Sequence, residues 1–378
     1  MARVQDSSQT IRDIEIAMST IAPPGLAQAW DNVGLLVGDR AAACRRVLLC
    51  IDLTPAVLGE AMAKKCDMVM AYHPPLFKPV NRLLADSDGT DALIHRAIAT
   101  GIAIYSPHTA LDAVNGGTND VLAGLCGLKS TEPFEYVDAG KGEFKLVTFV
   151  PANNLDRVAS AMFDAGAGRI GEYTRCSYRL EGEGTFFGSA STNPQVGRKG
   201  RLETVSETRL ETVVADRALP NVIAALRRAH PYEEPAFDVY PLRPAPVAGI
   251  GRVGEFAPPV TLGALAMRLK RATKSRVVMT VGSAKKKIRR AAVCVGAAGR
   301  LPLDKPNAAN CDVIITGEIR HHDALLIHRA GKSAIALGHW ESERPVLKPL
   351  ATRLAKAVNG ARFILSTKDA GPFESISK

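Results

Sequence analysis

The segment RVLLCIDLTPAVLGEAMAKKCDMVMAYHPP, Arg46 to Pro75, carries the reading of the fold. RVLLCID (46–52) is a short apolar run, and Thr54 is placed to cap the helix that PAVLGEAMAKK would form. A threonine at this position accepts a hydrogen bond from a backbone N–H of the first turn. DMVMAY (67–72) is a second apolar run; it delivers His73 and stops at Pro74 and Pro75, which forbid a helix there. Two short apolar runs joined by a helix read as neighbouring strands of a parallel sheet. A histidine at the carboxyl end of such a strand stands where open α/β sheets build their sites. Alone, His73 reads as a ligand, a catalyst or a packed ring, the last being the commoner fate of a single histidine.

The pattern extends in both directions. TIRDIEIAMSTIA has apolar residues at helical spacing, with Thr10 as its cap and Pro23 and Pro24 as its end. A helix near 89–100 leads into the strand GIAIYS (101–106), which delivers PHTALD. The C-terminal third repeats the alternation with RRAAVCVG (289–296), CDVIITGEIRHHD (311–323), a helix near 323–330 and KSAIALGHWESE (332–343). KKCDMVMAYH is similar to ANCDVIITGE, and GIAIYSPHTALD to GKSAIALGHWESE. The second pair ends in His-x-x-x-acid both times, His108 with Asp112 and His339 with Glu343. The spacing predicts two related α/β lobes that face each other and pool their loops.

A different composition separates the lobes. Residues 144–187 read as strand, helix, glycine-rich turns and strands, and 202–242 as strand, helix, strand. This plan suits an inserted ferredoxin-like α+β domain, with RPAPVAG (243–249) as the return linker. The expected boundaries are 1–126 for the first lobe, 127–248 for the insertion and 249–378 for the second lobe.

Composition narrows the function classes. With 378 residues and 46% hydrophobic content, the chain has material for two or three domains. Disordered and collagen-like classes are excluded. No apolar run reaches the ~20 residues of a membrane span, and the N-terminus has no uninterrupted apolar stretch of a secretion signal. Seven cysteines without a C-x-x-C suggest buried free thiols and a cytoplasmic setting. The net charge of +10 admits an anionic small molecule or a nucleic acid. The densest basic run, SAKKKIRRAA (283–292), has no interleaved aromatics and reads as a solvated turn, so nucleic acid is weakly supported.

Aspartate, glutamate and histidine in this arrangement suit Zn, Fe, Mn, Co or Ni. A single His-x-x-x-acid pair is more often an ion pair. Two such pairs after apolar strands, with His73 after a third, point to a shared metal site. The loop after CDVIIT adds Glu318, His321 and His322. No P-loop and no G-x-S-x-G elbow occurs. HPYEEPAFDVY (230–240) reads either as a strand edge with solvated acids or as an auxiliary binding site.

WDNVGLLVG (30–38), YHPPLFKP (72–79), YSPHTALDAVNGGTND (105–120), TGEIRHHDAL (316–325) and GHWESE (338–343) together resemble the Nif-three-like family, whose bacterial members are called GTP cyclohydrolase I type 2 homologues. The middle segment resembles the PII/CutA-like insertion of its longer bacterial members. The resemblance implies a divalent-metal centre between the lobes, one or two ions per chain, and a toroidal homohexamer. It implies His73, Asp112, His339 and Glu343 as metal residues and His108 as an acid or base. Where the family has a first histidine, this chain has Tyr72. The second cation is then weakened, absent, or held by His108 or His322, with Tyr72 and Glu318 as supporting or substitute groups.

Overall fold

The computed structural model describes residues 9–137, 142–242 and 248–374. The chain divides into two compact units, 1–139 together with 246–378, and 140–245. The linker expected at 243–249 lies largely outside the described residues.

The larger unit holds two mixed sheets. In the first, β1 (Gly34–Val37), β2 (Arg46–Cys50), β3 (Met68–Ala71) and β4 (Ala103–Ser106) lie in the order β1-β4-β3-β2. The last strand of the chain, β17 (Arg362–Leu365), adds beside β2. All pairings are parallel except that of β1 with β4. Alternation along each strand sends side chains to opposite faces. Leu48, Val69 and Ile104 pack on one face against Val57, Leu58, Ile94 and Ala97. Val47, Leu49, Met68 and Met70 pack on the other against Ile14, Met18, Leu347 and Leu354. Each such side chain contributes roughly 1.5–3 kcal/mol when fully buried. The helices arise where the caps placed them. Thr10 and Asp13 close a reciprocal box at the start of Ile11–Ile21, and Thr54 accepts from the Val57 N–H at Pro55–Ala63.

Two short strands, β5 (Lys129–Glu132) and β6 (Glu135–Tyr136), precede the smaller unit. That unit contains β7 (Glu143–Pro151), β8 (Ser177–Phe187), β9 (Leu202–Ala215) and β10 (Phe237–Leu242), with helices Leu155–Asp164 and Leu219–Ala229. Its antiparallel order is β10-β7-β9-β8. Leu146, Val150, Leu210 and Val214 bury one sheet face against Val158, Met162, Val222 and Leu226 of the helices.

The chain then continues through β11 (Gly249–Ile250), β12 (Arg252–Thr261), β13 (Met279–Val281), β14 (Lys287–Cys294), β15 (Val313–Thr316) and β16 (Ser333–Ala336). The second sheet runs β13-β16-β15-β14-β12-β5. Its β13-β16-β15-β14 portion repeats the order and directions of β1-β4-β3-β2. Two borders differ from those expected. β5 pairs with β12 and β6 with β11, so residues 129–136 belong to the larger unit. β17 returns to the first sheet, so the C-terminal segment is shared between the lobes.

Arg252 locks the two halves of the larger unit together. It is 1% exposed. Its Nε and Nη2 grip Asp120 at 2.5 and 2.8 Å, Nη1 donates to the carbonyls of Gly249 and Gly251, and Nη2 also reaches Val114 O. All five N–H donors of the guanidinium are thereby used, the condition under which a buried charge is tolerated.

Candidate metal centre

Three strand ends deliver the site. β3 runs on through Tyr72 to His73, and β4 leads through Pro107 into the short helix His108–Ala113. β16 leads through Gly338 into the helix His339–Glu343. The i, i+4 spacing on that last helix puts His339 and Glu343 on one face.

The histidines and Glu343 converge. Ligand atoms of His73, His339 and Glu343 lie within 4.8 Å of one another. His73 Nε2 is 3.3 Å from Glu343 Oε2, and His339 Nε2 is 3.2 Å from Glu343 Oε1. On the far side of each ring, Nδ1 meets another carboxylate: His73 with Asp52 at 2.9 Å and His339 with Glu318 at 3.1 Å. A carboxylate only accepts, so each Nδ1 carries the hydrogen. Each neutral ring would then aim an Nε2 lone pair at a carboxylate oxygen, and something positive must lie between them. Without a cation, it is a proton. Burial opposes the charged form of His73, yet hydrogen bonds to Asp52 and Glu343 push it up to about 10. The Glu343 hydrogen bond likewise raises His339. Burial would raise Glu343, but the two histidines hold it below the usual carboxylate range.

Two further features fit a cation. Glu343 is 3% exposed, and its Oε2 has no hydrogen bond of good geometry. Gly296, at φ +61°, faces the same spot; a Cβ there would lie 2.6 Å from Glu343 Oε1 and 3.2 Å from His339 Nε2. The donor set and the space both suit a borderline divalent metal, and carboxylates on Nδ1 are how ligating histidines are oriented.

The other candidate residues are distributed around this group. Tyr72 is buried and donates its hydroxyl to Asp112 Oδ1. Burial and the carboxylates of Asp112 and Glu343 drive the phenol well above 10, which keeps it a neutral donor. Burial pushes Asp112 up to about 6 against the opposing effect of that hydroxyl. Asp112 is not among the three residues whose ligand atoms cluster. His108 holds Asp31 through Nδ1 at 2.8 Å and packs edge-on against His73, with ring centroids 5.2 Å apart. His322 is exposed and packs against His321. It sits in the first turn of the helix His321–Arg329, whereas the loop before that helix brings Glu318 to His339.

Three supporting carboxylates were not singled out from the sequence. Asp52 and Asp31 orient His73 and His108. Asp369 accepts from the Ile51 N–H and the Trp340 Nε1–H, tying the β2 end to the His339 helix. Asp31 lay in the quoted WDNVG motif; Asp369 had no local signal.

The Duf34/NIF3 (NGG1p interacting factor 3) family model matches residues 9–372. The chain belongs to the Duf34/NIF3 family. A Mycobacterium tuberculosis relative named GTP cyclohydrolase 1 type 2 homolog is 36% identical over 342 residues, covering 89% of each chain. A Bacillus subtilis relative of the same name is 32% identical over 380 residues, 99% of each. Among solved structures, a Bacillus cereus protein related to NIF3 superimposes with a TM-score of 0.75 at 31% identity, over 98% of this chain and 100% of that one. A Staphylococcus aureus protein gives 0.83 at 26% identity, over 98% and 99%. This NIF3 chain therefore shares the family architecture over nearly its whole length. Among the described residues, no helix is long and apolar enough to cross a membrane.

Proposed function

We propose that this NIF3-family chain is a metal-dependent hydrolase acting on a nucleotide or a related anionic small molecule. One observation carries the reading: two histidine Nε2 atoms converge on the buried Glu343 while their Nδ1 atoms are held by Asp52 and Glu318. His73, His339 and Glu343 would hold one divalent ion, drawn from Zn, Fe, Mn, Co or Ni. Asp112, with His108 beside it, is the proposed side for a second. The bound metal supplies Lewis acidity and water activation. His108 keeps its Nδ1 hydrogen against Asp31 and leaves Nε2 to exchange a proton with substrate. Trp30 packs edge-on against His108 and lies 5.8 Å from Phe77, and these two exposed rings offer apolar surface to a planar base. The charge of +10 favours an anionic substrate. The relatives' name places guanine nucleotides first among those to assay.

The test is elemental analysis of the purified protein, then a nucleotide panel with each metal found. Turnover abolished by chelation supports the hydrolase. Tight stoichiometric metal without turnover supports the second reading, a metal-binding regulatory or chaperone-like protein. That alternative is motivated by the separate 140–245 unit, which we read as a PII/CutA-like module, with the β10-β7-β9-β8 order. Strongly salt-dependent DNA or RNA binding would favour a nucleic-acid ring. The proposed assembly is a toroidal homohexamer, and light scattering reports it directly.

A further inference from the structure

The smaller unit contains a cavity of about 640 Å³, unrelated to the metal centre and lined entirely by its own residues. It lies on β7, β8 and β9 and is bordered by Thr192, Pro194, Gln195 and Val196 and by Tyr232, Glu233 and Glu234 of the HPYEE turn. That turn is pinned by a histidine with a structural role. His230 is buried, accepts the Tyr232 N–H at Nδ1 (3.1 Å), and donates from Nε2 to the Phe149 carbonyl (2.9 Å). Both ring nitrogens are used, so the imidazole is neutral and fixes the turn's position.

The pinned turn directs Tyr232 into the cavity, where its hydroxyl donates to Glu207 Oε1 at 2.6 Å. Gly184 lies opposite; a Cβ there would come 2.2 Å from Glu207 Oε2, so the missing side chain is what admits the carboxylate. No cation of the described residues pairs with Glu207. The one basic residue in the lining, Arg209, is engaged with Glu211 at 2.8 Å and lies over the Phe149 ring. The aromatic walls are Phe149, Phe186 and Tyr232, and Glu233 and Glu234 add carboxylates from the turn. Glu181, Glu183 and Phe187 alternate to the other face of β8 from Gly182 and Gly184 and border the cavity through backbone. A chain with a net charge of +10 thus holds a cavity with three carboxylates, Glu207, Glu233 and Glu234, and one arginine that is already engaged.

We propose that this cavity binds a small organic cation, an alkylammonium or guanidinium compound, with Glu207 as its counter-ion and Phe149, Phe186 and Tyr232 as its aromatic walls. An unpaired carboxylate braced by a phenol supplies the charge. The ring faces supply cation–π attraction, the means by which aromatic cages select ammonium groups over neutral molecules of the same shape. The volume falls within the usual range of small-ligand sites.

The test is calorimetric titration of the full-length protein with choline, agmatine and the neutral choline isostere 3,3-dimethylbutan-1-ol. Saturable binding of at least one cation is expected, with none for the alcohol. Glu207→Gln and Phe186→Leu should each weaken that binding about tenfold or more, while Glu255→Gln, in the larger unit, leaves it unchanged. Should Glu207→Gln fail to fold, Tyr232→Phe, which removes only the hydroxyl that orients Glu207, decides the matter by the same weakening. Equal binding of the alcohol would reduce the cavity to an apolar one. Cation binding indifferent to these substitutions, or absent for both cations, would overturn the proposal.

Discussion

Tyr72 gives its phenolic hydrogen to Asp112, at the edge of the group formed by His73, His339 and Glu343. The tyrosine is fully enclosed, with the ring against His73 and His108. A buried phenol beside two carboxylates resists ionisation, so it orients Asp112 rather than ligating a metal. Tyr72→His should therefore raise metal stoichiometry toward two per chain, because neutral imidazole binds borderline metals without first losing a phenolic proton. Tyr72→Phe should leave the first ion in place and cost about 1–3 kcal/mol of stability, since Asp112 loses a buried partner. Calorimetric metal titration of the three proteins reads the stoichiometries, and denaturant unfolding reads the stability cost. A two-site isotherm already present in the unsubstituted protein would refute the weakened second position.

Gly296 tests the first position. Its backbone is in the left-handed region, and its missing Cβ leaves open the space beside Glu343 Oε1 and His339 Nε2. Gly296→Ala should lower metal affinity by about 10–100-fold, the scale seen when the surroundings of ligands are disturbed, and cost roughly 1–3 kcal/mol in backbone strain. Metal titration together with thermal unfolding separates the two. Undiminished affinity would mean that the ion does not sit between these side chains.

The sequence made the parallel strands and their helices legible because both are local. Thr10 and Thr54 announce their helices, and MVMA and the VII of Val313–Ile315 are apolar throughout because both faces of those strands are covered. His73, His339 and Glu343 could be picked out because each follows such a strand. What stayed hidden depends on contacts distant in sequence. Nothing near Asp369 shows that it will accept from Ile51, 318 residues away. β17 is too short and too ordinary to reveal which sheet it joins. Asp112 carried the same His-x-x-x-acid signal as Glu343, yet it answers to Tyr72, a pairing set by the tertiary fold.

Arg252 links the halves that carry the ligands. Arg252→Ala should destabilise the protein by about 3–5 kcal/mol, since it leaves Asp120 and three carbonyls without their donor. Arg252→Lys should recover only part of this, because an ammonium cannot reproduce the fork. Urea unfolding of the larger unit measures it. A loss below about 1 kcal/mol for Arg252→Ala would assign the pair no more weight than a surface ion pair.

Glu60 gives the stability a pH dependence of definite sign. The carboxylate is 8% exposed and receives Lys64 Nζ, the hydroxyls of Ser366 and Thr367, and the backbone N–H groups of Thr367 and Lys368. Burial alone would raise its pKa, but these donors together hold it well below the value of 4.5 that it has when unperturbed. A folded-state pKa below the unfolded one means that the unfolded chain takes up protons first on acidification. The stabilisation is therefore complete above about pH 4.5 and declines as the pH falls toward the folded-state value. Glu60→Gln should cost about 1–3 kcal/mol at pH 7, because an amide turns two donor hydrogens toward existing donors. The difference between the two proteins should shrink between pH 5 and pH 3. The variant should also bind metal more weakly, since Glu60 anchors the segment that carries Asp369, and Asp369 ties the β2 end to Trp340. Denaturant titrations of both proteins at pH 7, 5 and 3 provide the check. A gap that stays constant over that range would show that Glu60 titrates alike in the folded and unfolded chains.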